Sequence, residues 1–404
     1  MSGMWKMKKL GEICDVIGGG TPSKENSKFY DGSIFWATVR DMKGDFIKET
    51  EYRITEDAVK NSSTNIVPKS NVVIATRVGL GKICLVENDT AINQDLRGII
   101  PKNKSVLSVG YLFQWFKSIS HLIVQEGTGA TVQGVKLPFI KDLEIPLPPL
   151  PEQQRIVAIL DEAFATIAKA KANAEQNLKN AKELFESYLQ GVFVDKIHGS
   201  EFETLDSLCE LIVDCEHKTA PTQETGYPSI RTPNIGKGVL ILDGVNRVSE
   251  ETYREWTRRA IPQEDDLILA REAPAGNIAV IPKNIKVCLG QRTVLIRPKK
   301  DRLVSKFLAY LILSKDVQNQ LLSHSTGATV EHINMKDIRA FKIFNLSTLT
   351  EQQSIVQKLD ALSAQTKKLE AIYQQKINDL EELKKSILQK AFSGELKTAE
   401  MLAV

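Results

Sequence analysis

The stretch EQQRIV (152–157) returns as EQQSIV (351–356), and the pentapeptide TGATV precedes each copy, at 128–132 and 326–330. The offset is 199 residues for the first pair and 198 for the second, so one residue has been inserted between the two motifs. Similarity within one chain at a nearly constant offset is the signature of a repeated structural unit. The sequence therefore predicts that this chain of 404 residues contains one fold twice.

Elsewhere the halves match more loosely, but in the same order. LGEICDVI at 10 matches LDSLCELI at 205, and ATRVGLGKI at 75 resembles LAREAPAGNI at 269. Each half therefore consists of a globular unit followed by a long helix. The predicted divisions are a first unit over 1–150, a helix over 151–194, a second unit over 195–346, and a helix with a C-terminal tail over 347–404. TGATV, about 20 residues ahead of each helix, is interpreted as a structural junction.

The globular units are predicted to be mixed α/β. Short apolar or β-branched runs bounded by Gly, Pro, Asn and Asp are typical of strands, and amphipathic runs of about ten residues are typical of helices. The predicted strands are Val72–Ala75, Lys82–Val86, Leu267–Ala270 and Val294–Ile296, and the predicted helices are Val109–Lys117 and Ser305–Ser314.

Both tails carry apolar or small residues at alternating spacings of four and three, with one extra spacing of four at the same place in each. This pattern is a heptad seam with a stutter. The residues predicted to pair the helices are Ile156, Leu160, Ile167, Leu178 and Phe185 in the first tail, and Ile355, Leu359, Leu369, Ile377, Leu380 and Ile387 in the second.

A seam of this kind has two interpretations. A short helix commonly packs on its own domain, but a helix of about 40 residues is on the order of 60 Å long, which exceeds the width of a domain of about 150 residues. The other copy is the simplest partner. We therefore expect the two helices to pair as an antiparallel coiled coil, which gives the repeat a pseudo-twofold arrangement.

Composition narrows the class of protein. No apolar run is long enough to span a membrane and no secretory signal opens the chain, so we expect a cytoplasmic protein without a membrane partner. Five cysteines, an odd number, fit a reducing compartment. Cys209, Cys215 and His217 lack a second ligand pair, so no metal site is predicted there. The net charge of +3 is too small to indicate nucleic acid by itself.

Two similar readers held apart by paired helices suit double-stranded DNA, because dimeric DNA-binding proteins use matching symmetry to contact two half-sites. GGGTPSKENSKFYDGSIFWATVRDMKG (18–44), EIPLPPLPEQQRIV (144–157) and LKKSILQKAFSGEL (383–396) resemble the specificity subunit of type I restriction-modification systems. The resemblance covers essentially the whole chain. The second half departs from the pattern at DCEHKTAPTQETG (214–226) and NLSTLTEQQ (345–353).

The resemblance implies a non-catalytic DNA reader with two target recognition domains, each reading one part of a split, asymmetric site. The paired helices would set the spacer and dock two methylation subunits, and restriction subunits would join the complex. The adenine-N6 methyltransferase and ATP-dependent endonuclease activities, with S-adenosylmethionine, ATP and Mg²⁺, would belong to those partners. No cofactor, metal or catalytic residue is expected in this chain.

DNA contacts are expected from polar and basic residues on loops at strand ends. Arg77 and Arg271 follow a predicted strand in each half and are interpreted as an equivalent pair. For every candidate the alternative is a surface salt bridge. The candidates are Thr38, Arg40, Lys43, Arg77 and Lys82 in the first unit, and Arg231, Asn234, Lys237, Arg271 and Arg292 in the second.

Other functions are weighed against this one. A scaffold whose two domains bind proteins would share the architecture, and a stand-alone nuclease or methyltransferase would need catalytic motifs. GGGTPS (18–23) is not followed by the Gly-Lys-Ser/Thr of a phosphate-binding loop, and Asn-Pro-Pro or Asp-Pro-Pro motifs are missing from the sequence. Glu264, Asp265, Asp266 and Glu272 could hold a nuclease metal, but the first half lacks these acids and a solvated turn explains them.

Overall fold

A computed structural model describes residues 5–127, 134–196, 198–272, 275–323 and 332–395. Both copies of TGATV, and the junction predicted for them, lie outside these residues. The chain forms two compact units. Unit 1 comprises Met1–Ala174 with Gln375–Val404, and unit 2 comprises Glu175–Gln374, so each unit contains part of both long helices.

Unit 1 combines short strands with helices. Its strands are β1 (Lys6–Lys9), β2 (Cys14–Gly18), β3 (Ile34–Ala37), β4 (Phe46–Ile47), β5 (Tyr52–Ile54), β6 (Asn65–Val67), β7 (Val72–Ala75), β8 (Ile83–Val86), β9 (Thr90–Ile92), β10 (Leu96–Pro101) and β11 (Glu144–Leu147). Its helices are α1 (Leu10–Ile13), α2 (Glu56–Lys60), α3 (Val109–Ser118), α4 (Ser120–Gly127), α5 (Leu137–Asp142), the first part of α6 (Leu150–Phe193) and the last part of α12 (Leu349–Ser393).

Within the described residues, the larger sheet of unit 1 has the order β2-β10-β7-β8-β4, a second sheet has the order β5-β3-β9-β6, and β1 pairs with β11. Strand β7 is buried at every residue, which explains its continuous apolar sequence VVIA. Helix α3 packs on β7 and β8 of this sheet and has Tyr111 through Phe116 buried, and its N-cap Ser108 accepts a hydrogen bond from the Tyr111 amide.

Unit 2 repeats this arrangement. Its strands are β12 (Phe202–Thr204), β13 (Cys209–Asp214), β14 (Tyr227–Ile230), β15 (Arg247–Val248), β16 (Leu267–Ala270), β17 (Ile278–Val280), β18 (Cys288–Leu289), β19 (Thr293–Pro298) and β20 (Lys342–Phe344). Its helices are α7 (Leu205–Leu208), α8 (Glu250–Trp256), α9 (Ser305–Leu313), α10 (Lys315–Ser323), α11 (Met335–Ala340), the second part of α6 and the first part of α12 (Leu349–Ser393).

Strand order confirms the internal repeat. In the described part of unit 2, the sheets have the orders β13-β19-β16-β17 and β15-β14-β18, and β12 pairs with β20. These orders match β2-β10-β7-β8, β5-β3-β9 and β1-β11 of unit 1. The parallel pairs match as well, β3 with β9 in one unit and β14 with β18 in the other. The two halves are therefore one fold, as the sequence predicts.

The predicted elements are confirmed with small differences at their ends. Val72–Ala75 and Leu267–Ala270 are strands with the predicted bounds. Strand β8 starts one residue later than predicted, because the Lys82 amide donates to the Gly79 carbonyl in the turn before it. Strand β19 is longer than the predicted Val294–Ile296.

The long helices run antiparallel where they meet inside unit 1. Lys171 Nζ lies 2.6 Å from Glu381 Oε1, and Lys384 Nζ lies 4.9 Å from the centre of the Phe164 ring. Residue numbers along α12 thus increase in the direction in which those along α6 decrease. The core of unit 1 includes Ile156 on α6 and Ala391 on α12, so both helices also cover the globular part of their own unit.

Candidate nucleic-acid interface

The candidate interface in unit 1 lies at the end of β7, where the chain leaves the sheet. The Thr76 amide donates to the carbonyl of Asp95, the residue before β10. The next side chain, Arg77, then reaches the Asp95 carboxylate, with Nε 3.8 Å from Oδ1. Half of the Arg77 side chain is exposed, and the carboxylate is mostly covered. The arrangement presents one guanidinium, tethered by one acid, at the edge of the sheet.

The loop before β4 borders the same edge. Lys82 Nζ donates to the Val39 carbonyl at 3.4 Å, and a Cβ on Gly79 would stand 2.5 Å from a Val39 methyl carbon. Gly79 has a φ of +67°, so glycine suits this turn both for its backbone and for its lack of a side chain. Turn 77–82 and loop 38–43 are therefore packed together.

Three predicted contacts lie on loop 38–43. Thr38 holds the loop itself, because its amide and hydroxyl both donate to the Asp41 carboxylate, at 2.7 and 3.0 Å. Arg40 is exposed and lies 3.7 Å from the Glu51 carboxylate, and Lys43 is exposed. Arg40 and Lys43 have the accessibility that a phosphate contact requires, while Thr38 shapes the turn.

The corresponding edge of unit 2 follows β16. The Arg271 amide donates to the Arg292 carbonyl at 2.9 Å, as the Thr76 amide does to Asp95. Arg292 Nε lies 2.8 Å from Glu272 Oε2, and 61% of the Arg292 side chain is exposed. Arg292 has a φ of +67°, an uncommon conformation for a residue other than glycine. The edge again presents a guanidinium tethered by an acid.

The predicted equivalence of Arg77 and Arg271 is wrong by one residue. Ala75 pairs with Leu96 in unit 1 as Ala270 pairs with Thr293 in unit 2, which aligns Thr76 with Arg271. Arg77 therefore aligns with Glu272, and its partner Asp95 aligns with Arg292. The ion pair is kept at this position, but its two charges have exchanged places. The sequence motif ATR against LAR conceals this shift, because the strand ends at Ala75 and Ala270 rather than at the arginines.

Arg271 itself is held by groups that the sequence analysis missed. Its Nε donates to the Ile333 carbonyl at 2.8 Å, and its Nη2 lies 2.8 Å from His332 Nε2. His332 Nδ1 lies 2.7 Å from Glu272 Oε1. His332 is 60 residues from Glu272 along the chain, and an isolated β-bridge brings the two together. No local sequence pattern indicates this contact.

The remaining candidates of unit 2 occupy different surroundings. The exposed Arg231 lies over Gly290, where a Cβ would stand 2.4 Å from its Cγ, and it is therefore close to the loop that carries Arg292. Asn234 is buried; its Oδ1 accepts from the Arg231 amide and its Nδ2 donates to the Ile241 carbonyl, so its amide serves the protein interior. Lys237 is exposed, 3.7 Å from Glu186 on α6.

With this geometry established, the chain can be compared with known proteins. Residues 3–180 and 198–382 match the family of type I restriction modification DNA specificity domains. The chain belongs to this family. The MjaIX specificity subunit of Methanocaldococcus jannaschii is 25% identical over 98% of this chain and 94% of its own length. The EcoR124I/EcoR124II specificity subunit of Escherichia coli is 34% identical over 40% of this chain and 41% of its own.

Solved structures share the specificity-subunit fold. A chain from a study of complex assembly and conformational transition of the type I R-M system gives a TM-score of 0.76 at 21% identity, covering 97% of this chain and 98% of that one. The HsdS subunit from Thermoanaerobacter tengcongensis gives a TM-score of 0.62 at 20% identity, covering 97% of each chain. At such identities the likeness concerns the fold alone.

Asp266, one of the four acids considered as a nuclease metal site, forms a buried ion pair in this specificity subunit. Asp266 is buried and accepts two hydrogen bonds from Arg297, at 2.8 and 2.7 Å. The interpretation of Asp266 as part of a solvated turn is therefore wrong. The hydrogen bond to Asp266 raises the pKa of Arg297, so the guanidinium remains charged. Among the described residues, no cluster of three or more His, Cys, Asp or Glu could hold a metal ion.

The Gln-Gln motif joins each long helix to its own unit. Gln153 is buried; its Oε1 accepts from the Ser108 amide, and its Nε2 donates to the Val106 and Pro148 carbonyls. Gln352 makes the same three bonds in unit 2, to the Val304 amide and the Arg302 and Ser347 carbonyls. The EQQ motif, which is identical in the two halves, thus attaches the first turn of each long helix to its own unit.

The residues predicted to pair the helices differ in exposure. Leu369 is exposed, at 38%, although it lies on the predicted seam. The buried ones are Ile156, Leu160, Ile167, Leu359, Ile377 and Ile387. The partly buried ones are Leu178, Phe185, Ile355 and Leu380. No helix in the described part of the chain is long and apolar enough to cross a membrane.

Proposed function

We propose that this specificity subunit reads a bipartite, asymmetric DNA site, one part with each globular unit, and that it has no catalytic role. The first target recognition domain corresponds to residues 1–150 and the second to residues 195–346. The observation that carries the proposal is the pair of strand edges with exchanged charges. At equivalent positions of the backbone, unit 1 has Arg77 beside Asp95 and unit 2 has Glu272 beside Arg292.

Exchanged charges suit two readers of different sequences. An arginine side chain can bind two acceptors of a guanine in the major groove, whereas a carboxylate accepts from a cytosine amino group. Moving the guanidinium from the position after β7 to the position before β19 changes which base edge it can reach. Arg40, Lys43 and Lys82 at the first edge, and Arg231 at the second, would supply contacts to phosphate, which position the protein without reading sequence.

The long helices would set the spacer between the two half-sites. Helix α6 has 44 residues and α12 has 45. A straight helix of that length measures about 65 Å, comparable with roughly two turns of B-DNA. The surfaces of these helices would also dock two methylation subunits, and restriction subunits would complete the complex. S-adenosylmethionine, ATP and Mg²⁺ would be bound by those subunits and none by this chain.

A selection experiment tests the proposal. The full chain, purified with its methylation subunits, is mixed with duplexes of randomised sequence, and retained duplexes are sequenced. We expect two short specified blocks with an unspecified spacer, and no enrichment when the methylation subunits are used without this chain. Retention without any sequence enrichment would contradict the proposal and would favour a protein-binding scaffold.

A further inference from the structure

The sheet edge that follows β16 in unit 2 has a histidine at a position where the edge that follows β7 in unit 1 has a glycine. The Ile333 amide donates to the Arg271 carbonyl, as the Val135 amide donates to the Thr76 carbonyl in unit 1. The residue before Ile333 is His332, and the residue before Val135 is Gly134. Gly134 has a φ of +128° and stands where a Cβ would lie 3.0 Å from the Thr76 carbonyl oxygen. Unit 1 therefore has a threonine and a glycine where unit 2 has Arg271 and His332.

The hydrogen bonds of His332 determine its tautomer. A guanidinium can only donate, so His332 Nε2, 2.8 Å from Arg271 Nη2, must be the unprotonated, accepting nitrogen. The proton then lies on Nδ1, which donates to Glu272 Oε1 at 2.7 Å. The other oxygen of the same carboxylate accepts from Arg292 Nε at 2.8 Å. One neutral imidazole and one carboxylate thus hold both arginines of the edge.

We propose that His332 is a positioning residue for DNA reading, and that its neutral form fixes Arg271 for sequence discrimination by unit 2. This inference rests on the proposed function and adds a pH dependence confined to one half-site. A protonated His332 carries a hydrogen on Nε2 that points at a guanidinium, so the contact with Arg271 is lost and two like charges face each other. The contact with Glu272 persists. Arg271 then keeps its bond to the Ile333 carbonyl but loses the contact with His332 that orients its guanidinium.

Other charged groups face this site and have to be separated from His332. Glu272 and Arg271 contact the imidazole directly, and Arg292 contacts the same Glu272 carboxylate. His217 and Cys215, on the segment after β13, line the same cavity. His217 is exposed and lies 3.1 Å from an Asp214 carboxylate oxygen. Protonation of His217 would add a positive charge that favours phosphate generally, so it would strengthen binding to all sequences rather than weaken reading at one half-site.

The test compares selections at pH 8.0 and pH 6.0, the interval in which histidine side chains ordinarily titrate. The probe is the library of randomised duplexes, and the protein is the full chain with its methylation subunits. For the unsubstituted protein we expect discrimination in one block to fall at least about fivefold at pH 6.0, the loss expected for one fixed arginine contact. Discrimination in the other block should be unchanged, which shows that unit 1 does not respond to this change of pH.

Variants assign the effect to His332. In His332→Gln the side-chain oxygen can still accept from Arg271 but does not titrate, so we expect discrimination near the pH 8.0 level at both pH values. His332→Ala should show the low level at both. His217→Gln is the matched control and should keep the pH-dependent loss.

The outcomes separate this inference from the proposed function. A sequence-specific selection whose two blocks respond equally to pH would overturn the role of His332 and leave the proposed function intact. The same holds if His332→Gln loses discrimination with pH as the unsubstituted protein does. A selection without sequence preference at either pH would overturn both.

Discussion

The sheet edges that carry Arg77 and Arg292 have the same backbone arrangement, but the two charges of their ion pairs have exchanged places. The Thr76 and Arg271 amides make equivalent bonds to the carbonyls of Asp95 and Arg292, yet the acid of the ion pair precedes β10 in unit 1 and comes two residues after β16 in unit 2. Backbone hydrogen bonds do not depend on side-chain identity, so they survive divergence of the sequence. A duplicated fold can therefore keep its frame while its contact residues change.

A second position shows the same divergence inside the fold. Asp266, one residue before β16, is buried and paired with Arg297. The residue before β7 is Asn71, also buried, whose side chain donates to the Pro68 and Lys69 carbonyls. Arg297 has in β19 the position that Ile100 has in β10, because Ile296 pairs with Leu267 as Ile99 pairs with Val72. Unit 2 thus uses a buried ion pair where unit 1 uses an amide and an aliphatic side chain.

The largest predicted effect follows from this difference. Asp266→Ala leaves Arg297 largely covered without its carboxylate, and removing one partner of a buried pair costs about 3–5 kcal/mol. We expect unit 2 to unfold at a lower denaturant concentration than unit 1 in a urea titration followed by hydrogen exchange. The double variant Asp266→Asn with Arg297→Ile installs the unit 1 residues and should be clearly more stable than Asp266→Ala. Equal losses in the single and double variants would contradict the stated role of the pair.

Substitutions of Gln153 and Gln352 test whether the equivalent hydrogen bonds of these residues contribute equally to the stability of the two units. Each Gln→Ala substitution removes three hydrogen bonds and leaves buried backbone groups unpaired, for a loss of about 2–3 kcal/mol. Urea unfolding should show similar losses for the two variants, each in its own unit. Gln154→Ala and Gln353→Ala are the controls, because these neighbouring side chains are exposed. A loss of unfolding free energy for only one of the two variants would contradict the equivalence of the two glutamines.

Exchanging the charges of unit 1 tests the difference between the readers. The double variant Arg77→Glu with Asp95→Arg copies the arrangement of unit 2. The long, half-exposed ion pair contributes little to stability, while Asp95→Arg also removes the hydrogen bond that Asp95 accepts from Asn93 Nδ2, so we expect the free energy of unfolding to change by about 1–2 kcal/mol. The preferred base in one block should change, with a discrimination of about 1–2 kcal/mol at one position in duplex selection. A large loss of stability, or an unchanged motif, would count against the proposed role of the pair.

The smallest predicted effect concerns the glutamate of each EQQ motif. Hydrogen bonding to Arg155 lowers the pKa of Glu152, and hydrogen bonding from the Thr348 backbone amide lowers the pKa of Glu351. A lowered pKa in the folded state gives stability above the ordinary pKa of glutamate, and this stability is lost as pH falls through the lowered value. Arg155→Ala should reduce the acid sensitivity of unit 1 alone, and Glu351→Gln, which removes the ionisable group that accepts from the Thr348 amide, that of unit 2 alone, in melting curves between pH 7 and pH 3.

Much of the fold could be predicted because it depends on local pattern. Buried strands such as Val72–Ala75 are continuous apolar runs, and the heptad spacing identifies both long helices. The EQQ motif located the helix starts, although nothing local indicated that Gln153 is buried while Gln154 is exposed.

The site was harder to predict, for physical reasons. Its contacts join residues far apart in the chain, as in the bond between Arg271 and His332 across 61 positions. Asn234 is of a residue type that reads DNA, but its burial is decided by the turn that it closes. The alignment of Arg77 with Glu272 rather than with Arg271 depends on where β7 and β16 end, and an arginine present in both sequences does not define those ends.

The central claim is that each unit reads one part of a split site, and a map of methylated adenines in host DNA tests it most directly. The map is recorded for the unsubstituted chain, for Arg77→Ala and for Arg292→Ala. The account predicts an asymmetric motif of two blocks, with Arg77→Ala relaxing one block and Arg292→Ala relaxing only the other. A single continuous motif, or two variants that relax the same block, would contradict it.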